Sequence, residues 1–325
     1  EGKEYLLNSF SPGPVPQKGR LVHVFFERTV YELNSLKLVL DGLSVPGYNG
    51  IDAIGISDSK IPVEVEIHRA ANVSKKLIAQ KLSQSINSEY KEVRPILTPD
   101  GKTMYFSRMN HPENIGGTDD PEDIWYSDYN MNIEDWLDAV NPGQPLNNTG
   151  ANYVSSITPD GKSMTVILGN RYHKNKDMKP GVSVSTINSN GWTKPVPVNI
   201  NNAFIENNDG HYFLTQSRES MIISVNRFDA YGRKDIYVTF LLPDGSWSEP
   251  LNLGNTINTT NDEHSPFLAA DNKTLYFSSK GYSGFGGYDV FVSRRLDESW
   301  KKWSEPENLG NQINTEEDEV FFTIP

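Results

Sequence analysis

No cysteine occurs among the 325 residues, which excludes disulfides, thiolate metal ligands, cysteine nucleophiles and a mature lipoprotein N-terminus. No apolar run approaches the ~18–20 residues of a membrane-crossing helix, so no membrane insertion is expected. Positive charge is scarce: 30 Lys and Arg stand against 42 Asp and Glu, a formal net charge of −12. Bulk electrostatics therefore argue against a nucleic-acid partner. No initiator methionine or signal peptide opens the chain. Residues 1–7 read as a hairpin turn entering a strand, and residues 319–325 as a strand that stops. The sequence is expected to be an internal piece of a longer protein.

What is present is turn formers and aromatics: 25 Gly, 20 Pro, 14 Phe, 15 Tyr and 6 Trp. That balance favours short strands over helices. A repeat organises them. Thr98, Thr158, Thr215 and Ala269 are equivalent, at steps of 60, 57 and 54 residues. In each unit an apolar strand meets a turn such as Pro99-Asp100-Gly101-Lys102, where Asp bonds its own backbone. An alternating strand follows, such as Met104-Tyr105-Phe106-Ser107. A third strand begins at Asp123, Gly181, Asp235 or Asp289. A fourth starts near Trp136, Trp192, Trp247 or Trp303, at steps of 56, 55 and 56, and ends in an Asn-rich exit such as Asn252-Leu253-Gly254-Asn255-Thr256-Ile257-Asn258. Val320 opens a fifth unit.

Four antiparallel strands repeated at this period predict an all-β fold, a β-propeller of four-stranded blades. Five or six blades are expected, the ring being incomplete without residues beyond this sequence. The recurrent Trp reads as packing between blades. Residues 60–93, with a strand pattern at Pro62–His68, are expected to close the ring. Residues 1–59 lack the repeat.

The stations Thr98-Pro99-Asp100-Gly101-Lys102-Thr103-Met104-Tyr105-Phe106-Ser107, Gly286-Gly287-Tyr288-Asp289-Val290-Phe291, Trp303-Ser304-Glu305-Pro306 and Asn308-Leu309-Gly310 resemble the WD40-like propeller repeats of TolB type. The likeness is closest to those of Bacteroidota cell-envelope proteins with OmpA-like domains. It covers residues 94–325. Asn49-Gly50-Ile51-Asp52-Ala53-Ile54-Gly55-Ile56 resembles the last strand of a discoidin-like β-sandwich, so 1–59 is expected to be the C-terminal part of one. The resemblance implies a periplasmic, outer-membrane-associated protein. It also implies partners in an outer-membrane or type 9 secretion assembly, with a glycan or peptidoglycan as a further partner.

No catalytic set is expected. His23, His68, His111, His173, His211 and His264 have no paired spacing, so neither a metal site nor a cofactor is predicted. Gly161-Lys162-Ser163 lacks the first glycine of a phosphate loop, and Ser283 lacks the glycines of a nucleophile elbow. Asp119-Asp120-Pro121-Glu122-Asp123 lacks the spaced ladder of a Ca²⁺ loop and reads as a solvated loop. The leading expectation is therefore a non-catalytic protein-interaction module. Its contacts are expected on loops carrying His111, Arg171, Tyr172, Lys174, Tyr282 and Phe285. A glycan-binding protein is the second reading, with Tyr48, Tyr282 and Phe285 as platforms. A propeller glycoside hydrolase is the third. It needs two carboxylates at a central cleft, and the sequence singles out no pair.

Overall fold

The computed structural model describes residues 67–74, 76–159, 164–172, 178–206 and 209–324. The chain divides into two compact units, Glu1–Glu66 and Ile67–Pro325. The expected discoidin-like segment lies outside the described residues, as does most of the strand pattern at Pro62–His68.

The second unit is a propeller of four antiparallel sheets. Blade one contains β1 (Lys91–Leu97), β2 (Thr103–Met109), β3 (Asp123–Asn130) and β4 (Asp135–Trp136). Blade two contains β5 (Val154–Pro159), β6 (Met164–Arg171), β7 (Lys179–Asn188), β8 (Gly191–Trp192) and β9 (Val196–Pro197), with β8 and β9 both pairing β7. Blade three contains β10 (His211–Leu214), β11 (Ser220–Val225), β12 (Asp235–Phe240) and β13 (Leu251–Asn252). Blade four contains β14 (Glu263–Leu268), β15 (Thr274–Ser279), β16 (Asp289–Arg294) and β17 (Glu307–Asn308). The first strands of successive blades are neighbours, so β1, β5, β10 and β14 face the propeller axis. No fifth sheet forms among the described residues. Phe321, from the segment expected to start one, still packs against the axial side chains of blades three and four.

The core lies between blades, because each inner sheet is apolar on both faces. In β11, Met221, Ile223 and Val225 pack toward blade two while Ile222 packs toward blade four. Period-two alternation thus serves two interfaces at once. Trp247 and Trp303 are buried in these inter-blade clusters, and Trp136 and Trp192 pack against their edges, as the repeat predicts.

The Asn-rich exits form a latch. Asn258 Nδ2 donates to the carbonyl of Ile236 at 2.8 Å, and its Oδ1 accepts the Ile236 N–H at 2.7 Å. Asn147 does the same to Ile124, and Asn314 to Val290. Each amide therefore continues the ladder where the fourth strand has ended. Asn258→Ala leaves the buried N–H of Ile236 unpaired, while its carbonyl keeps the Leu253 N–H at 3.2 Å. It is expected to cost about 1–3 kcal/mol, read as a lower urea midpoint.

Four residues beyond each latch region a second contact recurs. Glu92 accepts the N–H and hydroxyl of Ser88. Glu263 does so from Thr259, and Glu319 from Thr315. Glu263 has no solvent exposure, and burial pushes its carboxyl up to about 7, with the Thr259 and Ser279 hydrogen bonds opposing. A carboxyl raised in the fold binds a proton that the unfolded chain has already released. Stability from this group is therefore present below about 4.5 and lost as pH rises through about 7. Glu263→Gln is expected to flatten that decline in urea midpoints measured from pH 4 to 8.

Candidate functional site

Superposing the repeats brings three stations to one mouth of the axis. The first lies four residues before the Thr98-type position and holds Arg94 and His211; blade two has Val154 there, packed instead into the apolar cluster between blades one and two. The matching residue of blade four is Ser265, with His264 beside it. A β-bulge interrupts the pairing of β1 between Val93 and Ile96, and of β14 between His264 and Phe267. Arg94, Ser265 and Phe321 all carry positive φ, at 59°, 49° and 61°. Such bulges re-aim side chains. The second station precedes the Asp that opens the third strand and holds Glu122, Lys234 and Tyr288. The third is the latch carboxylate, which in blade three is Asp209. Aspartate is one methylene shorter than Glu92 and Glu263, and blade two carries Asn152 there, which accepts the Asn148 N–H. The described partners of Asp209 are Arg94 and Lys234 rather than its own exit loop.

Arg94 is the hub. Its Nε donates to Glu122 Oε1 at 2.8 Å, Nη1 to His211 Nε2 at 3.1 Å, and Nη2 to Asp209 Oδ1 at 3.2 Å. The guanidinium lies 4.1 Å over the Tyr153 ring and 5.1 Å from that of Phe321. A side chain on Gly169 would collide with Tyr153, so that glycine makes room for the ring under Arg94. Lys234 Nζ donates to Asp209 Oδ2 at 2.5 Å. The His211 and His264 rings are 4.2 Å apart, with Tyr288 and Phe321 packed beside them.

The electrostatics separate the two carboxylates. Glu122, with 7% side-chain exposure, is raised above its usual range by burial, against the pull of Arg94. Asp209 has 52% exposure. Burial opposes its ionisation, but Lys234 and Arg94 outweigh that and hold it below the usual range. Burial, with the neighbouring cations, pushes His264 down to about 3 and His211 well below its ordinary value. Arginine has no acceptor, so His211 Nε2 receives the Arg94 hydrogen bond and carries its own proton on Nδ1.

Asp209, His211 and His264 offer ligand atoms within 4.8 Å of one another. The sequence reading treated these histidines as scattered; the inner-strand station unites them. Arg94 already donates to His211 Nε2, and Arg94 and Lys234 already neutralise Asp209. As arranged, the cluster is held by salt bridges, and a divalent ion would have to displace both cations.

The loop residues expected from the sequence are dispersed. His111 sits edge-on to both Tyr90 and Trp125, with ring centroids 4.9 Å apart in each case. The Tyr172 hydroxyl donates to the Leu146 carbonyl. Tyr282 turns inward, its hydroxyl on the Thr256 carbonyl at 2.6 Å and its ring against Phe291. Phe285 lies under the Arg69 guanidinium at 5.0 Å. Arg171 is exposed, and Lys174 lies outside the described residues. The acidic stretch is corrected: Asp120, Glu122 and Asp123 are buried. Asp120 accepts the Gly116 N–H and Asp123 the Ile115 N–H, ordering the loop.

No family profile matches the sequence, and neither does any curated protein. Solved structures do. A Bacteroides ovatus xyloglucan-locus GH43B is 14% identical, with a TM-score of 0.42 over 66% of this chain and 41% of its own. This chain thus spans about two-fifths of that protein's length. The family 117 glycoside hydrolase Zg3597 of Zobellia galactanivorans is 12% identical, with a TM-score of 0.40 over 72% and 74%. An α-L-arabinofuranosidase of Lactobacillus brevis is 11% identical, with a TM-score of 0.38 over 69% and 76%. The likeness is one of architecture.

Two expectations are corrected. The TolB-type, WD40-like identity, with its Bacteroidota secretion context, finds no family match. The propellers found similar include those of glycoside hydrolases, a Pseudomonas aeruginosa periplasmic gluconolactonase and a puromycin hydrolase. The non-catalytic interaction module, with its secretion-complex partner, gives way to the axial cluster of titratable side chains. No helix among the described residues is long and apolar enough to cross a membrane.

Proposed function

We propose that this chain is a propeller glycoside hydrolase acting at the mouth of its axis. One observation carries the reading: a single guanidinium holds two carboxylates whose surroundings drive their protonation apart. Glycoside hydrolysis needs that pairing, one carboxyl protonated to give a proton to the leaving oxygen, one ionised to act on the opposite face. Glu122 is the acid. Asp209, half exposed and flanked by Lys234, is the base or nucleophile. Substrate entry replaces the Arg94–Asp209 contact, the longer of the two carboxylate bonds that Arg94 makes. Tyr153, Tyr288 and Phe321 keep the site dry, which strengthens its electrostatics. A glycan substrate places the working compartment outside the cytoplasm, in the periplasm or at the outer membrane.

The test is turnover of 4-nitrophenyl α-L-arabinofuranoside, β-D-xyloside and β-D-galactoside, with oligosaccharides of arabinan, xylan and agarose. Hydrolysis of at least one, abolished by Asp209→Asn, supports the reading, and NMR of the first-formed anomer then separates base from nucleophile. Absence of turnover on every substrate would overturn it.

A further inference from the structure

Two segments lead toward the axial site, 201–206 shortly before Asp209 and 226–234 ending at Lys234. Each also carries an exposed phenylalanine that the acid–base chemistry leaves unused. Phe204 is 60% and Phe228 70% exposed, and their rings meet edge to face at 5.7 Å. The pair is built into the fold. The Arg227 side chain, fully buried, donates from Nη1 to the carbonyls of Asn202 and Ala203, each at 2.6 Å, pinning one loop to the other. Asn202 and Phe204 hold φ of 46° and 44°. For a bulky side chain that left-handed backbone costs about 1–3 kcal/mol, and such strain concentrates at binding sites.

Beside Phe204 opens a cavity of about 260 Å³ lined by Val182, Val198, Ile200, Ile205 and Arg171. Gly181, at φ 134°, lets the aliphatic stem of Arg171 lie against it, which sets that charged group at the rim. The volume falls below the ~300–1,000 Å³ that encloses a drug-sized ligand; it suits a single ring. A protein partner is the weaker fit. Two partly exposed phenylalanines, of roughly 150–250 Å² each when fully counted, supply less than half of the ~800 Å² that one side of a stable interface buries. Position completes the case. Phe228 precedes Lys234 by six residues on the loop between β11 and β12, a reach of at most about 20 Å, and Lys234 bonds Asp209, so the aromatic pair lies within a few sugar units of that carboxylate.

We propose that Phe204 and Phe228 form a second carbohydrate subsite, holding one ring of a polymeric glycan against the aromatic pair with its hydroxyls toward Arg171. The polymer then runs inward along the two loops to Glu122 and Asp209. The direction of that run rests on the hydrolase reading; the subsite does not.

The experiment is affinity electrophoresis of the chain in native gels containing arabinan, xylan, agarose or polygalacturonate. At least one polymer is expected to retard the wild-type chain. Phe204→Gly combined with Phe228→Ala should weaken that binding at least tenfold. Glycine adopts the φ of residue 204 without strain, so this variant is not at risk of unfolding. Phe204→Tyr with Phe228→Tyr should restore retardation. Wild-type mobility in every gel would overturn the proposal, as would equal retardation of the Gly/Ala variant. Loss of a wild-type dimer in that variant, without polymer binding, would assign the patch to a second copy of the chain. Failure of aryl glycoside turnover would remove the hydrolase reading and leave gel retardation untouched.

Discussion

Glu122→Gln is expected to lower kcat by about 10²–10⁴-fold, the usual worth of a positioned general acid. The loss should depend on the leaving group: large for an oligosaccharide, small for a dinitrophenyl glycoside that departs without a proton. A merely structural role for Glu122 would depress both alike. The pH profile supplies the second readout. Turnover needs Asp209 ionised and Glu122 protonated. Activity should rise through a value below the ordinary aspartate pKa, set by Lys234 and Arg94 against burial. It should fall through a value above the ordinary glutamate pKa, set by burial against Arg94. Residual activity of Glu122→Gln should lose the alkaline limb and keep the acid one. An unchanged bell would assign the acid elsewhere.

Arg94→Ala is expected to cause the largest loss of stability. Burial disfavours the charged guanidinium, yet Glu122 and Asp209 more than offset this and raise its pKa. Removing Arg94 strands Glu122, buried in the same pocket, and takes the hydrogen bond from His211. Breaking a buried pair from one side costs about 3–5 kcal/mol, measured as the shift in urea midpoint at constant m. The double variant Arg94→Ala, Glu122→Gln should be less damaged than the two losses added together, because no buried charge is then left alone. Simple additivity would show that the two side chains act independently.

The blade repeat was legible because its stations are structural. The Asn of three exits clamps a strand, and Asp100 bonds Thr98 and Lys102 within its turn. Identical tasks select identical residues. The candidate site was not legible for the opposite reason. Arg94 and Glu122 come from blade one, Asp209, His211 and Lys234 from blade three, and His264 from blade four, each once. A search for paired spacing along the chain finds nothing. The signal was the odd residue at a shared station: Arg94 and His211 lie four residues before Thr98 and Thr215, where blade two has Val154. The loop aromatics misled for a related reason. Gly281–Gly287 reads as slack, yet the Asp289 carboxylate accepts the N–H groups of Phe285 and Gly286, and that order folds Tyr282 into the core.

The convergence of inner-strand stations also bears on how such a protein changes over generations. A blade copied in tandem would bring its own latch, its own turn and one further side chain facing the axis, with the joints already compatible. Novelty therefore enters one axial position at a time while the architecture stays intact. Blade two shows a position spent otherwise: Val154 is buried in the apolar cluster with Leu146, Val166 and Leu168, and that blade meets Arg94 through the Tyr153 ring.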